Sequence, residues 1–456
     1  MMATVLLVAL AQQPASPADA AAGRPCKMII DSVGRQAQQV EVRRGETNVF
    51  AGGGVLAHCE GTSSTLASDS VAWFAGVKRF DMLGQRNPVH IRDTAMTLDA
   101  TTAAYFMGQE RLEAHNNVIA VNRNTGSVLR GPNLTYYRAI RGVRDTLEMY
   151  ASGRPTIDYH STADSGGGEP YIIVADRVRF KGNDRMWGGG QVTIDRSDFA
   201  ARGDSMQLDQ LTGFAVLVGK PRVDGKGARP YALTGTRIEL GLQGRDIRLV
   251  KALGDGVATG SDWRLTADTI HLHLDRKKLQ QAFAWGPKDS VRARAVSTLN
   301  TIRADSLALD LPDEVLTEAR AFGRAYSTSK KQPSKRDSTA TPEVDWIAGD
   351  SLTARWTQVA DSAGTPMSKL YRLISRGSPA RSFTHMASAH DSTGPSVNYS
   401  RGKVIDVLLK GDKVDRVTVT GGADGVQLEP RPPAPDTTKR ADTTKTTAAT
   451  KKQPRP

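Results

Sequence analysis

Long apolar runs are missing from this 456-residue chain. After the first dozen residues nothing approaches the roughly 20 consecutive apolar residues of a membrane-spanning helix, which excludes a helical span beyond the N-terminus. Helical spacing of apolar residues is nowhere sustained over about 12 positions, so very little helix is expected. Aromatic residues make up only 6% of the chain and do not interleave with basic ones, the arrangement that a platform for stacked bases requires. No nucleic-acid partner is therefore expected. The eight histidines are scattered. His271 and His273 alternate on one strand face but lack a third ligand, so they read as an exposed or packed pair, and neither a metal nor another cofactor is expected. The runs Gly52-Gly53-Gly54, Gly166-Gly167-Gly168 and Gly188-Gly189-Gly190 precede neither a helix nor a Lys-Ser/Thr pair, which excludes phosphate loops and leaves turns and bulges. With only two cysteines, Cys26 and Cys59, one internal disulfide is the most the chain can form; in an oxidising compartment it would close the first sheet layer.

What is present in quantity suits short strands joined by turns: 43 glycines, with abundant Thr, Ser, Val and Asp. The net charge is +13, and residues 431–456 supply part of it with seven Lys/Arg against two Asp. The surplus elsewhere favours an anionic partner, whether a phosphorylated glycolipid, a membrane surface or a nucleic acid; the bland reading is a merely soluble basic protein. The short apolar run Thr4-Val5-Leu6-Leu7-Val8-Ala9-Leu10-Ala11 ends in an A-x-A cleavage pattern, so residues 1–11 read as a signal peptide remnant and the mature chain as a soluble extracytoplasmic one. Cys26 follows Gly-Arg-Pro and not a Leu-rich lipobox, which argues against a lipid anchor there.

The informative feature is a recurring unit: a small residue, Asp and an alternating apolar strand, then a second strand closing on Gly and a β-branched residue. Ala175-Asp176-Arg177-Val178-Arg179-Phe180 is followed by Gly190-Gln191-Val192-Thr193-Ile194, and Gly203-Asp204-Ser205-Met206-Gln207-Leu208 by Gly219-Lys220-Pro221-Arg222-Val223. Ala267-Asp268-Thr269-Ile270-His271-Leu272 and Ala304-Asp305-Ser306-Leu307-Ala308-Leu309 repeat the first half, with Gly286 and Gly323 after them. The same register is met at Asp69, Asp93, Asn133, Thr236 and Asp350, and from Asp176 onward its spacing is 28, 32, 32, 37 and 45 residues. Self-similarity over tens of residues marks a stacked architecture, in which no unit buries its apolar face until its neighbours cover it. Within each unit the alternation has period two, one face apolar and one polar. The Asp is expected to cap a turn by accepting backbone N–H groups, and the Gly to allow a positive φ at the return bend. Asp-Ser pairs repeat in register, which argues for a turn role and not for catalysis.

These residues resemble the OstA-like group, which includes the periplasmic lipopolysaccharide-transport bridge (LptA-like) and the soluble N-terminal part of the outer-membrane assembly translocon. The phrase shared with that group is a small residue and Asp before an alternating strand, and Ala-x-Gly-x-Val before the next. Here it is met as Leu265-Thr266-Ala267-Asp268-Thr269-Ile270 and Ala252-Leu253-Gly254-Asp255-Gly256-Val257; Phe50-Ala51-Gly52-Gly53-Gly54-Val55 with Cys59 and Ser68-Asp69-Ser70 is similar to an opening unit. The resemblance covers roughly residues 45–325 and 398–428. It implies an all-β fold, an elongated β-jelly-roll (β-taco) solenoid of stacked antiparallel strands enclosing an apolar groove through which acyl chains travel. It also implies a location in the periplasm associated with the outer membrane, a non-enzymatic role in lipopolysaccharide transport and outer-membrane assembly, and no cofactor.

On this reading the chain divides into OstA-like segments over 26–160 and 171–327, a basic linker or insertion over 328–345, a C-terminal β segment with a loop insertion over 346–428, and a disordered basic Pro/Thr/Lys tail over 429–456. The weakly periodic stretch 360–396 reads as a surface insertion. The candidate groove residues are Val178, Phe180, Met206, Leu208, Ile238, Leu240, Ile270, Leu272, Leu307 and Leu309. The bland reading of each is a dry core position. Arg177, Arg179, Arg222, Arg237, Arg245, Arg248 and Arg264 offer bidentate forks for head-group phosphates, or simply solubilise the polar strand faces. The expected partners are lipopolysaccharide or another anionic glycolipid, and other jelly-roll transport components or a second copy joined end to end by strand addition. The alternatives are a structural or adhesive solenoid without lipid cargo and, less favoured, a carbohydrate-active β-helix enzyme, which needs paired carboxylates on adjacent rungs.

Overall fold

The computed structural model describes residues 26–429 apart from 141, 161–167, 245, 262, 287–291, 331–343, 361–365, 387–395 and 411–412. The expected signal peptide, Gly166 and Gly167, Arg245, most of the basic linker and the tail beyond Glu429 lie outside the described residues. The described chain is all-β: 32 strands joined in one antiparallel network, with two single-turn 3-10 segments at Met107–Gln109 and Pro312–Glu314. This is the arrangement that period-two alternation demands, since an apolar residue at every second position gives a strand one buried face and one exposed face.

The longer strands each belong to two layers. The first half of Arg185–Arg196 pairs with Arg177–Lys181, and its second half pairs with Tyr171–Val174. The change of partner falls at a bulge where the register with Phe199–Asp209 shifts between Gly189 and Val192. The same shift occurs between Gly52 and Val55, Leu253 and Gly256, Phe322 and Ala325, and Ala348 and Ser351. Each such strand folds over like the spine of a book. Two stacked layers result, joined along one edge by backbone bends, with hairpin turns of both layers facing each other along the opposite edge.

The recurring Asp and Gly meet at the spine. Gly190 has φ +79° and would bring a Cβ within 2.3 Å of the Asp176 carboxylate, while Asp176 donates its N–H to the Gly190 carbonyl at 2.9 Å. Gly323 and Asp305 repeat the arrangement, with φ +75° and 3.0 Å. Only glycine combines this backbone conformation with so close an approach. The expected capping by the Asp carboxylate holds at Asp69, which accepts from the N–H groups of Gln85, Arg86 and Asn87, and at Asp350, which accepts from Ser378. At Asp176 and Asp305 the carboxylate instead binds Arg154 and Arg324, because the bend is already closed by backbone hydrogen bonds.

The weakly periodic stretch expected to be a surface insertion contains a strand, Pro366–Met386, paired on both sides with Val344–Ala360 and Ser396–Lys410. Its alternation is hard to read because Ser375, Ser382 and Thr384 occupy inward positions that elsewhere hold Ile, Leu and Val.

Candidate functional site

The ten residues picked out by alternation fall on two rows that cross the strands of the first layer. Following the register, Val178, Gly188, Met206, Leu217, Ile238, Ala252, Ile270, Ala284, Leu307 and Ala321 are successive neighbours. The adjacent row runs through Phe180, Met186, Leu208, Ala215, Leu240, Val250, Leu272, Ala282, Leu309 and Ala319. All point into the space between the layers. From Leu240 onward, large side chains mostly alternate with alanine, so that neighbours less than 5 Å apart interdigitate. Phe180 is half-buried and the other nine are buried; Ile238, Ile270 and Leu272 have no exposed surface at all. That middle stretch is filled by its own side chains.

Room exists nearer the N-terminus, along the turn edge. One cavity of about 70 Å³ is bordered by Met96, Tyr136, Met149, Phe180, Met186 and Leu208. A second, of about 50 Å³, lies between the Cys26–Cys59 disulfide and Met82, and shares Met96 and Tyr136 with the first. Met96, Tyr136, Met149 and Met186 were not picked out from sequence. The alternation Met96, Leu98, Ala100 beside Asp93 was a signal for one of them, in a weak copy of the unit.

Side chains close the turn edge. Arg138, after one strand of the first layer, reaches the second-layer turn at Asp93 (3.8 Å) and also Glu110 (3.5 Å). Glu110 accepts from the Cys26 N–H at 2.7 Å and from the Tyr105 hydroxyl at 2.5 Å. Farther along, Asn122 donates to Asn183 at 3.1 Å, Gln210 to the Tyr159 hydroxyl, and Lys277 approaches Asp198 at 3.8 Å. Burial pushes the phenols of Tyr105 and Tyr136 above their usual range, Tyr105 further through Glu110. Burial alone would weaken the Arg138 charge, but Asp93, Tyr105 and Glu110 outweigh it and shift its pKa upward. One edge is thus backbone and the other is a row of separable polar contacts.

The arginines expected at head groups do not converge. Arg179, Arg222, Arg237 and Arg248 are paired with Glu148, Asp224, Glu239 and Asp275 on the outer faces. Arg177 lies over Gly189 at the spine, and Arg264 is exposed on the second layer. His271 and His273 pack on Trp285 and Phe283, with ring centroids 4.6 and 5.3 Å apart, and burial followed by Lys251 lowers both imidazole pKa values. No group of three metal-ligating side chains occurs among the described residues.

Fold and interior together define a two-layer, spine-bent antiparallel β-solenoid with an apolar interior. No family model matches the chain, and no curated protein matches it. Among solved structures it is similar to LptH, the LptA-homologous periplasmic component of the lipopolysaccharide transport device from Pseudomonas aeruginosa, at 17% identity and a TM-score of 0.23, over 33% of this chain and 97% of that one.

Proposed function

We propose that this chain is a non-enzymatic periplasmic protein that holds lipopolysaccharide or a related anionic glycolipid by its acyl chains during outer-membrane assembly, as an OstA-like transport protein. The observation that supports this most is the asymmetry of the two edges: an apolar interior crosses strand after strand, its spine is covalent, and among the described residues its turn edge is bridged by side-chain contacts. Chains entering past Asn122–Asn183 and Tyr159–Gln210 reach the cavity bordered by Met149, Phe180 and Leu208. Each buried methylene contributes about 0.8 kcal/mol, and along a uniform row successive positions are nearly equal in energy, so sliding is easy. The segments 26–160 and 171–327 act in this proposal as consecutive stretches of one conduit. The strand Gln36–Arg43 is exposed throughout and among the described residues pairs only with Glu46–Cys59, which suits end-to-end strand addition of a related jelly-roll component or a second copy.

The test is native mass spectrometry with lipid extraction on protein purified from a host with an outer membrane. Co-purified lipopolysaccharide, lost in folded Met149→Asp and Leu208→Asp variants and retained in the outward control Ile119→Asp, is the expected result. A lipid-free protein that rejects added lipopolysaccharide favours the second reading, a structural solenoid, which the zero exposure of Ile238, Ile270 and Leu272 supports.

A further inference from the structure

Toward the C-terminus the second layer turns its usual pattern inside out. Its inward row reads Ile173, Ile194, Ala201, Val223, Leu233, Ala258, Leu265, Ala295 and Ile302, then changes to Ser327, Ile347, Ser382 and Ser400. The Ser382 and Thr384 hydroxyls are buried and have no hydrogen-bond partner among the described residues. Over the same strands the aromatics stand outside. Trp346, Phe383 and Tyr399 are direct cross-strand neighbours, followed by Val426. Tyr326 stacks beside Trp346 from the next strand.

An adjacent outer row runs Arg294, Arg303, Tyr326, Ala348, Arg381, Arg401. Two pairs in it, Arg294 opposite Arg303 and Arg381 opposite Arg401, place like charges face to face, which is unfavourable for a sheet by itself. All four are exposed, and none forms an ion pair among the described residues; Asp424, opposite Arg401 at the row's end, is the nearest acid in register. A sheet that carries hydroxyls within, rings without and opposed arginines beside them is matched to an outside partner that is both anionic and partly apolar.

We propose that this outer face, independently of any lipid in the interior, docks on a membrane surface rich in anionic phospholipid. The ring geometry selects that partner. Trp346 is stacked between Tyr326 (6.1 Å, 28°) and Phe383 (6.3 Å, 13°) and meets Tyr399 edge-on, so both faces of the central ring are covered and it presents its edge. Bases or sugars need a free ring face. Ring edges flanked by guanidinium groups fit the head-group region, where amphipathic aromatics settle and phosphates take the Arg fork.

The experiment is flotation of the full chain with phosphatidylcholine vesicles, with and without phosphatidylglycerol. Wild type floats with the anionic vesicles only, and less as salt rises. Arg294→Gln/Arg303→Gln/Arg381→Gln/Arg401→Gln loses roughly a hundredfold or more in partitioning, each basic residue being worth about fivefold at such a surface. A control with Arg35, Arg44, Arg86 and Arg416 changed to Gln has the same net charge and the same basic tail, and it retains binding. If the quadruple variant fails to fold, quenching of tryptophan fluorescence by brominated lipid, lost in Trp346→Tyr, reads the same contact. Absence of flotation, equal binding to neutral vesicles, equal loss in both quadruple variants, quenching that survives Trp346→Tyr, or an oligonucleotide bound in place of vesicles each overturns the proposal.

Discussion

The guanidinium of Arg138 stands 3.5 Å from the carboxylate of Glu110, a side chain that also holds the Cys26 N–H and the Tyr105 hydroxyl. Both partners are largely buried, with side-chain exposures of 17% and 5%. Removing one half of such a pair leaves a charge without compensation in the interior. Arg138→Met is expected to cost about 3–5 kcal/mol, and the double variant Arg138→Met/Glu110→Gln less than the sum of the single ones. Hydrogen exchange localises the effect: protection is lost first in Met28–Val33 and Arg111–Asn122, because each rung of a stacked fold contacts only its neighbours.

The Cys26–Cys59 bridge closes a loop with a sequence separation of 33 residues beside the second cavity. By the chain-entropy account, a loop of that length is worth about 3–4 kcal/mol. Reduction, or Cys26→Ser/Cys59→Ser, is expected to lower the denaturation midpoint of the N-terminal rungs, and the decrease should be absent when the serine variant is treated with reductant.

Ile270 and Phe180 lie on the neighbouring inward rows but in different surroundings. Ile270 has no exposed surface and sits between Ala252 and Ala284, so Ile270→Ala is expected to cost about 2–5 kcal/mol and Ala284→Leu about 1–3 kcal/mol through overpacking. Phe180 is half-buried and borders the larger cavity, and Phe180→Leu should cost less than Ile270→Ala in urea denaturation. Equal costs would mean that the cavity is no looser than the middle stretch.

Asp69 gathers three backbone N–H groups, those of Arg86, Asn87 and Gln85, which lower its carboxyl pKa from 3.8 to about 2. Its folded pKa lies below its unfolded one. Its stabilisation is therefore fully present above about pH 4 and is lost as pH falls toward 2. Urea midpoints of wild type and Asp69→Asn should differ at pH 6 and converge near pH 2; a gap that persists at pH 2 would assign the effect to something other than the carboxylate.

Much of the interior was legible because strand alternation is local. Val178, Met206, Ile238, Ile270 and Leu307 recur at one place in the unit, and the tertiary structure sets them on one row. Pro366–Met386 was missed because Ser375, Ser382 and Thr384 take inward positions while Phe383 stands outside, which breaks the hydropathy signal of its alternation.

The sequence by itself determined the all-β class, the inward residues and the positive φ of the recurring Gly, since each rests on the preferences of a few consecutive residues. Only the tertiary structure decided the contacts of the turn edge and the basic-aromatic face. Arg138 and Asp93 meet across 45 residues, and Asn122 and Asn183 across 61. Arg294, Arg303, Arg381 and Arg401 come from four different strands, and the register that aligns them is set by the bulges and turns of every strand between, which no local pattern records.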